Sequence, residues 1–295
     1  MSPNREPRHV SVLPEETLRW LDPQPGETWI DATLGGGGHA RLIAAKLIPG
    51  GRLLGLDQDP AMLERAAPGL EGLPIERVHA VFDQLDAVLE ARGIEAIDGL
   101  LADLGFSSDQ LEDPTRGLSF RDDGPLDMRL NPATGMTAAR YVNELSEAAL
   151  ADVIWEYGEE RFSRRIAKRI VERRREKPFA TTADLAEIVR QSVPRTPDTR
   201  RIHPATRTFQ ALRIAVNDEM GSLERLLALL PRFVKPGGRV GIISFHSLED
   251  RRVKQAFRDH PAWEPLTKKP VEPGDDEARR NPRARSAKLR VARRV

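Results

Sequence analysis

Short apolar runs alternate with amphipathic helical patterns along the first third of the chain. The apolar runs predict four β-strands, at residues 28–33, 52–57, 75–82 and 97–104. The amphipathic patterns predict helices at residues 14–21 and 40–48, and again after Pro60 and Asp83. Strands that alternate with helices over short connections are typical of a parallel, doubly wound sheet. This part of the chain therefore predicts an α/β fold.

The alternation stops near Gln110 and resumes after Thr206. Between them no strand pattern is found, and apolar positions at helical spacing predict helices at 147–157, at 161–175 and from Thr182. Beyond them the pattern predicts a helix at 208–230, a strand at 239–246, a helix through Phe257 and final strands near 262–266 and 287–292. We therefore predict a Rossmann-like domain built from residues 1–109 and 207–295, with an all-helical domain, residues 110–206, inserted in it.

Composition narrows the class of protein. The 295 residues are 39% hydrophobic and 31% charged, with a net charge of +1, and no apolar stretch approaches the roughly 20 residues of a membrane span. The first residues lack the apolar core of a secretory signal, so we expect a cytoplasmic protein without membrane contact. There is no cysteine, and the six histidines lack the spacing of zinc ligands, so we expect no metal.

The first chemical motif is a glycine-rich loop that joins a predicted strand to a predicted helix. It reads Asp31-Ala-Thr-Leu-Gly35-Gly36-Gly37-Gly38-His39. Glycines at this place let the backbone approach a ligand at the helix N-terminus, and Asp57 ends the next strand, where it can accept the ribose hydroxyls of an adenosine cofactor. NAD and S-adenosylmethionine both fit this pattern. Asp31 favours S-adenosylmethionine, because a carboxylate there suits a cation better than a pyrophosphate.

The second motif follows the fourth predicted strand and reads Asp103-Leu-Gly-Phe106. It resembles the Asp-Pro-Pro-Tyr/Phe motif of amino-methyltransferases, with Leu104 and Gly105 in place of the prolines. The Asp103 carboxylate would accept the hydrogens of an exocyclic base amine and localise its lone pair, and Phe106 would stack on the base. The alternative is a helix N-cap at Asp103 and a core position at Phe106. Methylation at C5 of a pyrimidine is excluded, because it ordinarily needs a cysteine.

Several blocks together resemble the bacterial ribosomal RNA small subunit methyltransferase H family over nearly the whole chain. Besides the two motifs above, they are Arg116-Gly-Leu-Ser-Phe-Arg, Pro125-Leu-Asp-Met-Arg129, Ser244-Phe-His-Ser-Leu-Glu-Asp-Arg251 and Asn281-Pro-Arg-Ala-Arg-Ser-Ala-Lys-Leu-Arg290. The resemblance implies a Rossmann-like class I S-adenosylmethionine-dependent methyltransferase whose inserted helical domain recognises the substrate. It also implies methylation of N4 of a cytosine in the decoding region of 16S ribosomal RNA.

The resemblance implies a set of site residues as well. The expected cofactor site comprises Gly37, Gly38, His39, Asp57, Phe82, Asp103 and Gln110. The expected RNA contacts are Arg207, Arg213, Arg283, Arg285 and Lys288. Arg207 and Arg213 suit a phosphate contact or a structural role at the domain junction, and the last three suit a phosphate contact or a solvated strand face. For His246, at the end of the fifth predicted strand, we expect a backbone hydrogen bond rather than a role as general base.

The predicted function is direct methyl transfer from S-adenosylmethionine, without a covalent enzyme intermediate. The predicted partner is 16S ribosomal RNA within the small subunit, and a homodimer is left open. Two other classes of function remain: an NAD(P)-dependent oxidoreductase that uses the glycine loop, and a non-catalytic RNA-binding or assembly factor. Asp31, Asp57 and Asp103 favour the methyltransferase over both alternatives.

Overall fold

A computed structural model describes residues 11–194 and 203–295 of the chain. Its Cα positions divide these residues into two compact units. The first comprises the described part of Met1–Ser107 together with Met220–Val295, and the second comprises the described part of Ser108–Glu219.

The first unit is built on a seven-stranded sheet in the order β3-β2-β1-β4-β5-β7-β6. The strands are β1 (Thr28–Asp31), β2 (Arg52–Asp57), β3 (Ile75–His79), β4 (Ile97–Asp103), β5 (Val234–Ser244), β6 (Trp263–Pro265) and β7 (Lys288–Arg294). β1 to β5 pair in parallel, whereas β7 runs antiparallel to both β5 and β6. The carboxyl ends of the parallel strands therefore share one edge of the sheet, which is where ligands bind in such folds.

Helices cover both faces of this sheet. The first four in the chain are α1 (Pro14–Leu21), α2 (Gly38–Leu47), α3 (Pro60–Ala66) and α4 (Leu85–Glu90). One core cluster joins the α2 side chain Ile43 to Trp29 of β1, and a second joins Leu89 of α4 to Ile30 on the opposite face of the same strand. This alternation of neighbouring residues between two cores is the period-two pattern of a strand buried on both faces.

The second unit is helical. It contains α5 (Ser108–Glu112), α6 (Ala138–Glu144), α7 (Glu147–Gly158), α8 (Ser163–Arg174), α9 (Thr182–Ser192) and α10 (Ala205–Val216). The chain continues through α11 (Glu219–Phe233), α12 (Ser247–Asp259) and α13 (Asp275–Arg280), which belong to the first unit except for Glu219. Within the described ranges, every helix is too short or too polar to cross a membrane.

Most predicted elements are present at their predicted places, and three differ from the prediction. The predicted helix 208–230 is two helices, because Asp218 adopts a left-handed conformation, with φ of 47°, between α10 and α11. The predicted third strand ends at His79 rather than at Phe82, which instead begins a short 3-10 helix, Phe82–Gln84. The fifth strand begins at Val234, earlier than predicted, and runs through Pro236-Gly237-Gly238.

The second boundary of the inserted unit differs from the predicted position at residue 206. α10 packs against α6, α7 and α9, so the chain stays in the helical unit until Glu219. The first boundary falls after Ser107, two residues before the predicted 109. A role of this unit in substrate recognition stays a prediction.

A substitution at Gly99 tests the packing between β1 and β4. A Cβ at Gly99 would lie 2.3 Å from the ring of Trp29, which is 1% exposed. We expect Gly99→Ala to lower the free energy of unfolding by about 3 kcal/mol, because the fully buried ring has no free space into which to move. Gly69→Ala is the control, since a Cβ there meets nothing within 4 Å. Chemical denaturation measures both, and equal stabilities would contradict the packing.

Candidate active site

The glycine loop between β1 and α2 is tightly held. Leu34 donates its N–H to the Leu56 carbonyl at 2.7 Å, and Gly37 donates to the Leu34 carbonyl at 2.8 Å. Gly37 has a φ of 77°, and a Cβ there would also lie 3.0 Å from a Leu70 methyl group. The loop thus has a fixed left-handed turn that favours glycine and exposes backbone at the N-terminus of α2.

Asp57 at the end of β2 holds this loop in place. Its Oδ2 accepts the Gly35 N–H at 2.8 Å, and its Oδ1 accepts the Asp59 N–H at 2.9 Å. Burial raises the pKa of the Asp57 carboxyl to about 6, although these two hydrogen bonds oppose the rise. Each carboxylate oxygen has a second lone pair, so Asp57 can hold the loop and still accept a ligand hydroxyl.

Asp31 at the end of β1 is a buried acid, with only 1% of its surface exposed. Its Oδ1 accepts the Thr33 N–H at 3.1 Å, whereas its Oδ2 meets no donor in hydrogen-bonding geometry among the described residues. Burial raises the pKa of this carboxyl to about 7 and the charges of Asp103 and Asp57 add to the rise, whereas the backbone N–H groups of Thr33 and Ala40 oppose it. A buried oxygen without a donor is rare in proteins, and this one suits a cationic ligand.

Asp103 at the end of β4 is the third acid of this edge. Its backbone N–H donates to Thr33 Oγ1 at 2.6 Å, and its Oδ2 lies 3.8 Å from His39 Nε2. Its Oδ1 is buried and has no hydrogen-bond partner in residues 11–194 and 203–295. Burial raises the pKa of Asp103 to about 7, an effect that Arg283 opposes and Glu249 increases.

The elements around Asp103 exclude the structural alternative for this residue. It is the last residue of a strand, and α5 begins only at Ser108, so the alternative of a helix N-cap at Asp103 is wrong. The structure brings Asp103 together with His39, which is buried in the first turn of α2, beside the glycine loop. Phe106 is half-buried, and Phe82 is half-buried against the core cluster on one face of the sheet. Gln110 lies in α5 of the helical unit and is 5% exposed.

The predicted RNA contacts fall into two groups. Arg207 is exposed on α10, Arg285 is exposed and donates to the Ala278 carbonyl at 3.0 Å, and Lys288 begins β7. By contrast, Arg213 forms two hydrogen bonds to Glu219, at 2.7 and 2.8 Å, with only 13% of its side chain exposed. This ion pair favours the structural alternative for Arg213. The phosphate contacts of the other residues stay predictions.

The backbone hydrogen bond expected for His246 is absent among the described residues. Neither ring nitrogen has a hydrogen-bond partner among the described residues, and Nε2 lies 3.2 Å from Glu249 Oε1. Glu249 is 2% exposed, and its Oε2 accepts the Phe245 N–H at 2.8 Å, so its carboxylate takes the position next to the ring. Sequence reasoning missed Glu249, although its position three residues after His246 matches the spacing of a capping box.

Thr33 is the second site residue that sequence reasoning missed. Its backbone N–H binds Asp31 and its hydroxyl accepts from Asp103, so it connects the ends of β1 and β4. A threonine two residues beyond a strand is too common to be singled out in one sequence. Only the sheet order, which puts β1 beside β4, gives it this role.

The sheet order with an antiparallel β7, the glycine loop and the three acidic strand ends define a Rossmann-like class I methyltransferase. The model of the MraW methylase family matches residues 6–295. The chain belongs to the MraW methylase family.

Relatives of this chain are similar to it over more than nine tenths of their length. Ribosomal RNA small subunit methyltransferase H of Sorangium cellulosum is 51% identical over 296 residues, which cover 99% of this chain and 92% of that protein. The protein of the same name in Geotalea uraniireducens is 47% identical over 307 residues, which cover 97% and 98%. Among solved structures, an rRNA methylase from Streptococcus thermophilus aligns over 97% of this chain and 98% of that chain, with a TM-score of 0.43 and 11% identity.

The raised pKa of Asp31 has a consequence for stability. Its folded pKa of about 7 lies above the usual 3.8, so the folded chain binds the proton more tightly than the unfolded chain. The contribution of protonated Asp31 to the free energy of unfolding is fully present below about pH 4 and is lost as pH rises through about 7. We expect Asp31→Asn to raise the free energy of unfolding at pH 8, without ligand, by about 1 kcal/mol.

Thermal unfolding between pH 5 and pH 8 measures this gain, which should grow as pH rises. Asp98→Asn is the control, because Asp98 lies in β4 far from the site and pairs with Lys235 at 2.8 Å. Removing that charge should give no gain at pH 8. A gain for Asp31→Asn that does not depend on pH would contradict the raised pKa.

Proposed function

We propose that the protein transfers the methyl group of S-adenosylmethionine to the N4 amine of a cytosine in the decoding region of 16S ribosomal RNA. Its membership of the MraW methylase family and its full-length relatives named ribosomal RNA small subunit methyltransferase H support this activity. The observation that supports the amine target is the buried Asp103 Oδ1, an acceptor without a donor at the carboxyl edge of the sheet. The substrate is within the small subunit, and the protein works in the cytoplasm.

The residues present fit S-adenosylmethionine. The unpartnered Oδ2 of Asp31 suits the positive charge of the cofactor, and the backbone at the N-terminus of α2 can lie against its methionine part. Asp57 retains lone pairs for the ribose hydroxyls, and Phe82 follows β3, where its ring can pack on the adenine. A dinucleotide cofactor fits these residues less well, because its negatively charged pyrophosphate would face the carboxylate of Asp31. When bound, S-adenosylmethionine supplies an electrophilic methyl group on a sulfonium.

Asp103 acts on the amine in two ways. Its carboxylate accepts an amine hydrogen, which localises the nitrogen lone pair that the ring otherwise delocalises. As the nitrogen gains a bond to the methyl carbon, it must lose one proton. A carboxylate with a pKa of about 7 can take that proton near neutral pH, and His39 Nε2 lies 3.8 Å from the same carboxyl group.

Phe106 follows Asp103 by three residues and offers a flat apolar surface to a base turned out of the RNA. The chain has no cysteine, so transfer proceeds without a covalent bond between enzyme and base. The helical unit, Ser108–Glu219, recognises the RNA, with Arg207 as its exposed cation on α10. Arg285 and Lys288 add phosphate contacts from the C-terminal segment.

The activity can be tested through Asp103. We expect Asp103→Ala to lower the rate of N4-methylcytidine formation about 100-fold or more, because it removes both the acceptor and the base. The substrate is small ribosomal subunits from cells that lack this gene, and mass spectrometry of the nucleosides identifies the product. Asp98→Asn, in the same strand, is the control and should keep the wild-type rate.

Three results would contradict the proposal in different ways. Near-normal turnover by a folded Asp103→Ala variant would remove the role of Asp103. Binding of NADH without binding of S-adenosylmethionine would favour an oxidoreductase. Binding of small-subunit RNA without methyl transfer would favour an assembly factor.

Cofactor binding should depend on pH through Asp31. Only the ionised carboxylate attracts the cationic cofactor, and with a pKa of about 7 its ionised fraction falls about tenfold between pH 8 and pH 6. We therefore expect the Kd for S-adenosylmethionine, measured by isothermal titration calorimetry, to rise by up to about tenfold over that range. Asp31→Asn should bind weakly and without this pH dependence. An equal pH dependence in the variant would assign the titration to another group.

A further inference from the structure

A short 3-10 helix, Pro282–Ser286, places Arg283 beside the loop that follows β4. Arg283 Nη2 donates a hydrogen bond to the backbone carbonyl of Phe106. The guanidinium carbon of Arg283 also lies 5.8 Å from the centroid of the Phe245 ring, at the end of β5. Both contacts lie within the first unit. They direct this arginine toward the motif that begins at Asp103.

The segment that holds Arg283 is firmly anchored. The neighbouring Ala284 is fully buried, and Ala287 is 1% exposed. Ala284 and Ala287 donate N–H bonds to the carbonyls of Asn281 and Ala284, at 3.0 and 2.9 Å. β7 begins directly afterwards, at Lys288, and pairs with β5. The guanidinium therefore starts from a rigid base, as a group that positions a site must.

The loop that Arg283 contacts is also held at its two ends, where Leu104 and Ser107 are each 4% exposed and the Ser107 hydroxyl donates to Met62 Sδ at 3.3 Å. Leu104 donates to the Ile243 carbonyl at 2.9 Å, and Gly105 has a φ of 94°, which only glycine adopts easily. Residues 104–107 belong to no helix or strand. The hydrogen bond from Arg283 to the Phe106 carbonyl holds the middle of this loop, on the backbone that connects Asp103 to the Phe106 ring.

Arg283 also acts on the charge of the site. Four titratable groups surround Asp103: His39 of α2, Asp31 of β1, Glu249 of α12 and Arg283. Burial raises the pKa of Asp103 and the Glu249 charge adds to the rise, whereas Arg283 lowers it. The arginine thus favours the ionised Asp103 that the amine requires.

We propose that Arg283 is a positioning residue for methyl transfer, which holds the Asp103–Phe106 loop in its reactive conformation, and is not a phosphate contact. This inference rests on the proposed function, since it assigns Arg283 to the same site. It predicts an effect on kcat. A phosphate contact would instead act on the KM for RNA and on its dependence on salt.

The test compares Arg283→Met, Arg283→Lys and Arg258→Met on small ribosomal subunits. Arg258 is the control for the loss of one arginine, since it lies exposed near the end of α12 and pairs with Asp259. We expect Arg283→Met to lower kcat about tenfold or more, with the KM for subunits within about twofold of the wild type. The acid limb of its kcat against pH should move to higher pH, because the charge that favours ionised Asp103 is gone. Arg283→Lys should restore that limb, since it keeps the charge.

The outcomes separate the two proposals. Circular dichroism and S-adenosylmethionine binding first establish that the variants fold. An unchanged kcat with a raised KM and a smaller salt dependence would overturn the positioning role and return Arg283 to the phosphate contacts. A kcat loss without a shift of the pH profile would also overturn it, because that result indicates only a structural disturbance. A wild-type protein without methyl transfer would overturn the proposed function, and this inference with it.

Discussion

The site depends on the burial of three carboxylic acids along one edge of a parallel sheet. In the observed register, Asp31 lies opposite Gly55 of β2 and Leu101 of β4. Asp57 lies two residues after Gly55, and Asp103 lies two residues after Leu101. Side chains two residues apart point to the same face of a strand. All three carboxyl groups therefore project on the face that α2 covers. The order β2-β1-β4 alone is enough to bring them together.

This arrangement works against the stability of the protein without ligand. Burial raises the pKa of Asp31 and Asp103 to about 7 and that of Asp57 to about 6, so each acid resists ionisation in the folded chain. The cost of burying the Asp57 carboxylate is partly offset, because both of its oxygens accept hydrogen bonds from backbone N–H groups. Asp31 and Asp103 each keep an oxygen that accepts no hydrogen bond from residues 11–194 and 203–295. Under the proposed function, the cationic cofactor would meet Asp31 and the base amine would meet Asp103, which would remove both costs.

Much of this could be predicted from the sequence, because the strands are short apolar runs that end at acids. Strands 52–57 and 97–103 and the glycine loop follow from local pattern alone. The break between α10 and α11 could not be predicted, since Asn217-Asp218 contains neither proline nor glycine and its left-handed residue depends on tertiary contacts. Asn217 binds the backbone of Met128 and Leu130, at 2.8 and 2.7 Å, which are remote in sequence. The contact from Arg283 to Phe106 spans 177 residues and is equally invisible in one chain.

The C-terminal segment, residues 279–294, is rich in arginine and contains no acidic residue, yet its contacts show that composition overstates RNA binding. Arg290 forms a two-point ion pair with Asp250, at 2.6 and 3.1 Å, and is 7% exposed. Arg293 pairs with Glu264, and Arg294 donates to the carbonyl of Pro231. A cation increases RNA affinity only when it neutralises a phosphate and releases counterions. Arginines that are buried, or already paired with carboxylates of the protein, contribute little to RNA affinity. Several arginines of this segment therefore stabilise the fold, and only its exposed cations remain as proposed RNA contacts.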